Sequence, residues 1–100
     1  MRITEVEISP TVINKLYKRN ITEGEVRQVL LYDETVIVYH TGRGKRRGRK
    51  QKQERRYLAY GRTFAGRYLL VVFDLHEKSV ASVATARDMS PSERRLYERG

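Results

Sequence analysis

Apolar residues fall in two rhythms along this chain, and the change of rhythm marks its architecture. Residues 2–8 alternate, with Ile3, Val6 and Ile8 set among Arg2, Glu5 and Glu7, and predict a modest first strand. Ser9-Pro10 then supplies an N-cap and an N1 proline. They precede Val12, Ile13, Leu16 and Tyr17, an apolar stripe at helical spacing, and Asn20 is the expected stop. A second helix starts at once. Thr22 and Glu25 have the spacing of a capping box, Ile21 and Val26 that of a hydrophobic staple, and Val26, Val29 and Leu30 form a buried face.

Beyond Asp33-Glu34 the period shortens to two. Thr35–Tyr39 is β-branched and predicts a strand, and Tyr57–Gly61 resumes strand character. Arg67–Asp74 is apolar on both alternations, as expected of a central strand covered on both faces. Leu75–Lys78 predicts a four-residue turn and Ser79–Arg87 a last strand of small residues. Ser90-Pro91-Ser92-Glu93 repeats the cap, proline and capping-box signal and opens a short helix through Tyr97. The expected order is β-α-α-β-β-β-β-α. It predicts an α+β sandwich of one domain, residues 1–100, with an antiparallel meander and helices on one face.

Charge changes the picture at one place. Arg43 to Arg56 holds nine basic residues and a single acid, Glu54, for a net +8 in a chain whose total is +9. Apart from His40, residues 40–53 contain nothing aliphatic or aromatic, so a basic loop over 40–54 adds nothing to a core. Clustered like charges repel one another, and a polyanion relieves that repulsion. Nucleic acid is the first candidate, because each phosphate contacted releases condensed counterions. On that reading Arg43, Lys45, Arg46, Arg47, Arg49, Lys50 and Lys52 grip an RNA backbone, with Arg55 at the end of the loop. A solvated loop with no task is the plainer account of the same residues.

Several function classes are excluded or made remote. No window approaches the eighteen or so apolar residues of a membrane span. The N-terminus lacks an apolar signal core, and without cysteine there is neither a disulfide nor a thiolate chemistry, so a cytoplasmic protein is expected. His40 and His76 lie at strand ends without ligand spacing, no carboxylate cluster suggests a two-metal nuclease, and the glycines make no phosphate loop. No metal and no cofactor is expected.

Metal-free RNA cleavage needs a group to take the 2′-hydroxyl proton, charge to stabilise the in-line phosphorane, and a proton for the leaving 5′-oxygen. Arginine forks suit the second task. Arg56 and Arg87 are the candidates, with Glu54 or His40 as proton acceptor, Tyr57 and Tyr97 as stacking platforms, and Arg62 and Arg67 as further phosphate contacts. Strand parity groups Arg56 with Leu58 and Tyr60, and Arg87 with Val83 and Thr85. A surface ion pair with Glu93 or Asp88 is the ordinary alternative for Arg87.

The downstream half carries a recognisable succession. Glu54, Arg56, Tyr57 and Gly61 are followed by Gly66, Arg67, Leu69, Val71, Val72 and Phe73. Thr85-Ala86-Arg87 comes next, then Glu93, Arg94 and Tyr97. This succession resembles the BrnT-type ribonuclease toxins of bacterial toxin–antitoxin operons. Asn14, Lys18 and the capped helix at Thr22 and Glu25 are similar in order in the N-terminal half. The resemblance implies a RelE-like fold with two N-terminal helices on an antiparallel meander. It also implies cleavage of RNA, messenger RNA on or off the ribosome, that arrests translation, and neutralisation by a cognate DNA-binding antitoxin protein. Two departures stand out: Lys18-Arg19-Asn20 replaces the usual Lys-His-Gly, and the loop before β-strand Tyr57–Gly61 is long and basic instead of short and acidic or mixed. Two rival expectations follow. One is a non-catalytic nucleic-acid-binding module of the same fold, and the other is an interaction protein whose loop docks on an acidic antitoxin or on a second copy of itself.

Overall fold

The computed structural model describes residues 3–33, 36–40, 55–76 and 79–99. The described chain is α+β, with five strands and three helices, in the order read from the sequence. Strand β1 (Glu5–Glu7) leads into helix α1 (Pro10–Lys18). Ser9 caps α1 through its side chain, which accepts from the Val12 N–H at 3.2 Å, and Pro10 opens the first turn. Asn20 ends the turn in the left-handed region at φ 59°, a conformation asparagine tolerates better than most residues. Helix α2 (Glu23–Arg27) begins with the full Thr22/Glu25 capping box and runs on as a π-helical turn, Gln28–Tyr32. Ile21, Val26, Val29 and Leu30 are all buried, whereas Tyr17 lies outside, contrary to its place in the sequence stripe.

The sheet order is β1-β5-β4-β3-β2, with β2 at Ile37–His40, β3 at Arg55–Arg62, β4 at Tyr68–His76 and β5 at Val80–Asp88. β4 is central, and Leu69, Leu70, Val71 and Phe73 are buried on its two faces. It also extends into the expected turn, taking in Leu75 and His76, which pair with Arg55, Ala81 and Val80. Thr35 lies outside the described residues.

Two expectations about layers need correction. The meander β2-β3-β4-β5 is antiparallel, but β1 joins the edge parallel to β5, so the sheet is mixed. The helical segment between β1 and the strands carries the chain away before it returns, and that crossover permits a parallel pairing. The helices also divide. The α1–α2 layer packs with Tyr57, Ala59, Leu69, Val71, Phe73, Ala81, Val83 and Ala86 in the larger core. Helix α3 (Pro91–Arg99) packs Leu96 and Tyr97 against Leu58, Tyr60, Tyr68, Leu70 and Met89, which alternate onto the opposite face.

A β-bulge in β5 decides which side Arg87 takes. Val72 pairs with Thr85 but Phe73 pairs with Val83, so one residue is extra. Val83 therefore faces the α1–α2 layer with Phe73, while Arg87, opposite Leu70, faces α3. Sequence parity alone joins Arg87 to Val83. The inserted residue breaks that parity and moves Arg87 to the face of Arg56.

Candidate functional site

Strand alternation sends Arg56, Leu58, Tyr60 and Arg62 of β3 to the α3 side of the sheet, with Tyr39 of β2 opposite Leu58 and Tyr68 of β4 opposite Arg62. With Arg87 from β5, this face gathers three arginines and three tyrosines. Tyr39 meets Tyr60 edge-on at 5.6 Å, and Tyr68 meets Tyr97 edge-on at 5.8 Å. Burial, reinforced by the nearby Glu93 carboxylate, pushes the Tyr60 hydroxyl above its usual range. Sequence reasoning misses Tyr60 and Tyr68 as site residues. Their only signal is parity with Arg56 and the register of the β3–β4 hairpin.

The two arginines expected to stabilise a phosphorane are already engaged. Arg56 Nε and Nη2 donate to Asp74 Oδ1 and Oδ2, both at 2.9 Å, across the β3–β4 pair. Arg87 Nη1 and Nη2 donate to Glu93 Oε1 and Oε2 at 2.8 and 2.7 Å, the ion pair weighed against function from sequence. The Glu93 hydrogen bonds hold Arg87 more firmly protonated, and Arg87 lowers the Glu93 carboxyl to about 2. In register, Arg56 stands opposite Asp74 while Arg87 stands opposite Leu70. That separation is roughly 13 Å along the strands and about 10 Å across them.

Other expected contacts land elsewhere. Tyr57 is 9% exposed and stacks on Phe73 at 5.5 Å in the larger core, so it offers no open platform to a base. Tyr97 is also buried, and its hydroxyl donates to Asp33 Oδ2 at 3.2 Å. His40 ends β2 with its ring 4.8 Å from that of Tyr57, on the face away from Arg56. Arg67 is a structural tie: it forks onto Asp88, reaches Glu25, and donates to the Asn20 carbonyl at 2.6 Å. Its hydrogen bond lowers the Asp88 carboxyl, and the same contact raises the Arg67 guanidinium. The departure from Lys-His-Gly also has a structural use here. Arg19 Nη1 donates to the Ala86 carbonyl at 3.0 Å and to Thr85 Oγ1 at 3.3 Å, tying α1 to the bulged strand.

Arg62 does reach the surface of this face. Its guanidinium carbon lies 4.8 Å from the Tyr68 ring centroid, and that of Arg94 lies 4.3 Å from the same centroid. Of Arg55 only the backbone is described, as the first residue of β3. Glu54, Arg43, Lys45, Arg46, Arg47, Arg49, Lys50 and Lys52 lie outside the described residues. Among the described residues, no group of three or more His, Asp and Glu side chains could hold a metal ion, and no helix is long and apolar enough to cross a membrane. The chain matches no protein-family model and no curated protein sequence.

Proposed function

We propose that this chain is a metal-independent endoribonuclease with a RelE-like fold, the toxin of a toxin–antitoxin pair of the BrnT type. One observation carries the reading. Arg56, Arg62 and Arg87 share one sheet face with Tyr39, Tyr60 and Tyr68, and this face adjoins the end of β3 where the basic loop enters. Arginine and tyrosine side by side suit single-stranded RNA, whose phosphates take guanidinium forks and whose bases stack on rings.

In the reaction the 2′-oxygen attacks the neighbouring phosphorus and the P–O5′ bond breaks. The products are a 2′,3′-cyclic phosphate and a 5′-hydroxyl, the leaving 5′-oxygen taking its proton from solvent water. Glu54, two residues before Arg56, is the proposed acceptor of the 2′-hydroxyl proton; His40, the alternative read from the sequence, lies on the other face of the sheet. Arg56 and Arg87 stabilise the charge on the phosphorane once an RNA phosphate displaces Asp74 and Glu93 from their forks. RNA and an acidic antitoxin are the proposed partners, a second copy of the chain is a further one, and the cytoplasm is the proposed setting.

The filled forks and their separation favour a second reading, a nucleic-acid-binding module without cleavage. Incubation with end-labelled single-stranded RNA in EDTA separates the two. Cyclic-phosphate ends support the nuclease, and these should disappear in Arg56→Ala/Arg87→Ala while much of the affinity persists. A mobility shift without cutting supports the module, and neither shift nor cutting overturns both.

A further inference from the structure

Two guanidinium groups without a carboxylate partner among the described residues meet on one tyrosine ring beside a pocket, away from the two proposed catalytic arginines. Arg56, Arg67 and Arg87 each fork onto a carboxylate. Arg62 and Arg94 have no carboxylate partner among the described residues, and both guanidinium groups lie against the Tyr68 ring. That ring is held in place by its hydroxyl, which donates to Glu98 Oε2 at 2.7 Å, and by the edge-on contact with Tyr97. Each guanidinium therefore keeps donors available to an anion while its flat face is supported.

Next to Arg62 opens a pocket of about 290 Å³, lined in part by Tyr32, Asp33, Phe64 and Gly66. This is the small end of ligand pockets, roughly 300–1,000 Å³, and it suits a single heterocycle. Phe64 is 73% exposed and Tyr32 64%, with ring centroids 6.1 Å apart and planes tilted by 51°. A built turn presents the Phe64 ring. Its N–H donates to Gln28 Oε1 at 2.8 Å, and the turn is closed by Thr63 N–H to Arg67 O and Gly66 N–H to Thr63 O, both 2.9 Å. Gly66, at φ +92°, leaves room for Arg62: a Cβ there would sit 3.1 Å from Arg62 Nη2.

We infer that this corner is a one-nucleotide seat for single-stranded RNA, with the base against Phe64 and Tyr32 and the adjoining phosphate on Arg62 and Arg94. The inference rests on the RNA-binding part of the proposed function and assigns it a subsite outside the Arg56–Arg87 region. An acidic peptide would use the two cations but not the aromatic corner, so the exposed rings favour a nucleotide.

The test uses the full chain and a fluorescent ten-uridine oligonucleotide with 2′-O-methyl groups, which cannot be cleaved, with anisotropy read across a salt series. Phe64→Ala should weaken binding about tenfold, the scale of one lost base stack, and Phe64→Trp should restore affinity and be quenched by the oligonucleotide. Arg62→Gln/Arg94→Gln should lower the log–log salt slope by roughly 0.7, for the one phosphate they share. If the wild type binds and these variants keep both its affinity within twofold and its slope, the seat is overturned while RNA binding stands. If the wild type does not bind at low salt, RNA binding itself fails. If a polyglutamate peptide loses affinity in these variants and the oligonucleotide does not, the surface belongs to an acidic protein partner and the nucleotide seat is overturned.

Discussion

Glu93 holds Arg87 in a two-pronged fork, at 2.8 and 2.7 Å, and with the same carboxylate caps the helix that covers Arg87. Its Oε1 accepts from the Ser90 N–H at 2.8 Å, and its own N–H donates to Ser90 Oγ at 3.3 Å. One side chain thus joins β5 to α3 and controls the availability of a proposed catalytic arginine.

Acid should release that joint. The Glu93 carboxyl is lowered from an ordinary 4.5 to about 2, chiefly by its hydrogen bond from Arg87. A depressed carboxyl stabilises the fold above its unfolded value and loses that contribution as pH falls through the folded one. The urea concentration needed for unfolding should therefore fall between about pH 4.5 and pH 2. Glu93→Gln should flatten that decline and cost about 1 kcal/mol at pH 7, because Arg87 is 46% exposed and solvent screens the pair. An unchanged acid limb in the variant would refute the assignment.

Arg67 separates structure from binding. It connects Asp88, Glu25 and the Asn20 carbonyl, so Arg67→Gln should lose about 2–3 kcal/mol of stability by denaturant melts. RNA affinity, measured where the variant is still folded, should stay within twofold of wild type. A large affinity loss at unchanged stability would return Arg67 to the binding surface.

Two glycines should be intolerant for different reasons. At Gly61 a Cβ would lie 2.7 Å from Asp33 Oδ2 and 2.8 Å from Val29 Cγ1, so Gly61→Ala should cost about 1–3 kcal/mol through overpacking. Gly66→Ala is strained by its φ of +92° and should cost about 1–2 kcal/mol. Thermal denaturation of both variants checks the order, with Gly61→Ala the lower. Equal and negligible losses would show that neither constraint holds.

The basic loop makes a prediction that can be read from salt dependence alone. Deleting residues 43–52 should flatten the log–log slope of RNA affinity by roughly 0.7 for every phosphate that the loop neutralises. A slope indistinguishable from wild type would mean that these cations do not touch RNA.

Much of the chain's local structure is legible because it depends on neighbours in sequence. Ser9-Pro10 and the Thr22/Glu25 box act within one helical turn, and both form as read. The apolar run of β4 could only be a covered central strand, since both of its alternations demand burial. Asn20 also ends the helical turn as read, and it does so in the left-handed region.

What sequence could not supply depends on partners far away along the chain. The parallel docking of β1 on β5 needs the α1–α2 crossover to return the chain to the sheet's edge. One extra residue in β5 turns Arg87 to the side of Arg56, and a parity count cannot register an insertion that arises only against a partner strand. Likewise, a run of arginines does not reveal which carboxylates they meet. Asp74 and Glu93 occupy two of the forks and Asp88 a third, while the guanidinium groups of Arg62 and Arg94 rest on Tyr68. Charge is written residue by residue in the chain, but its availability is fixed by folding, because a guanidinium committed to a carboxylate must be displaced before it can serve a phosphate.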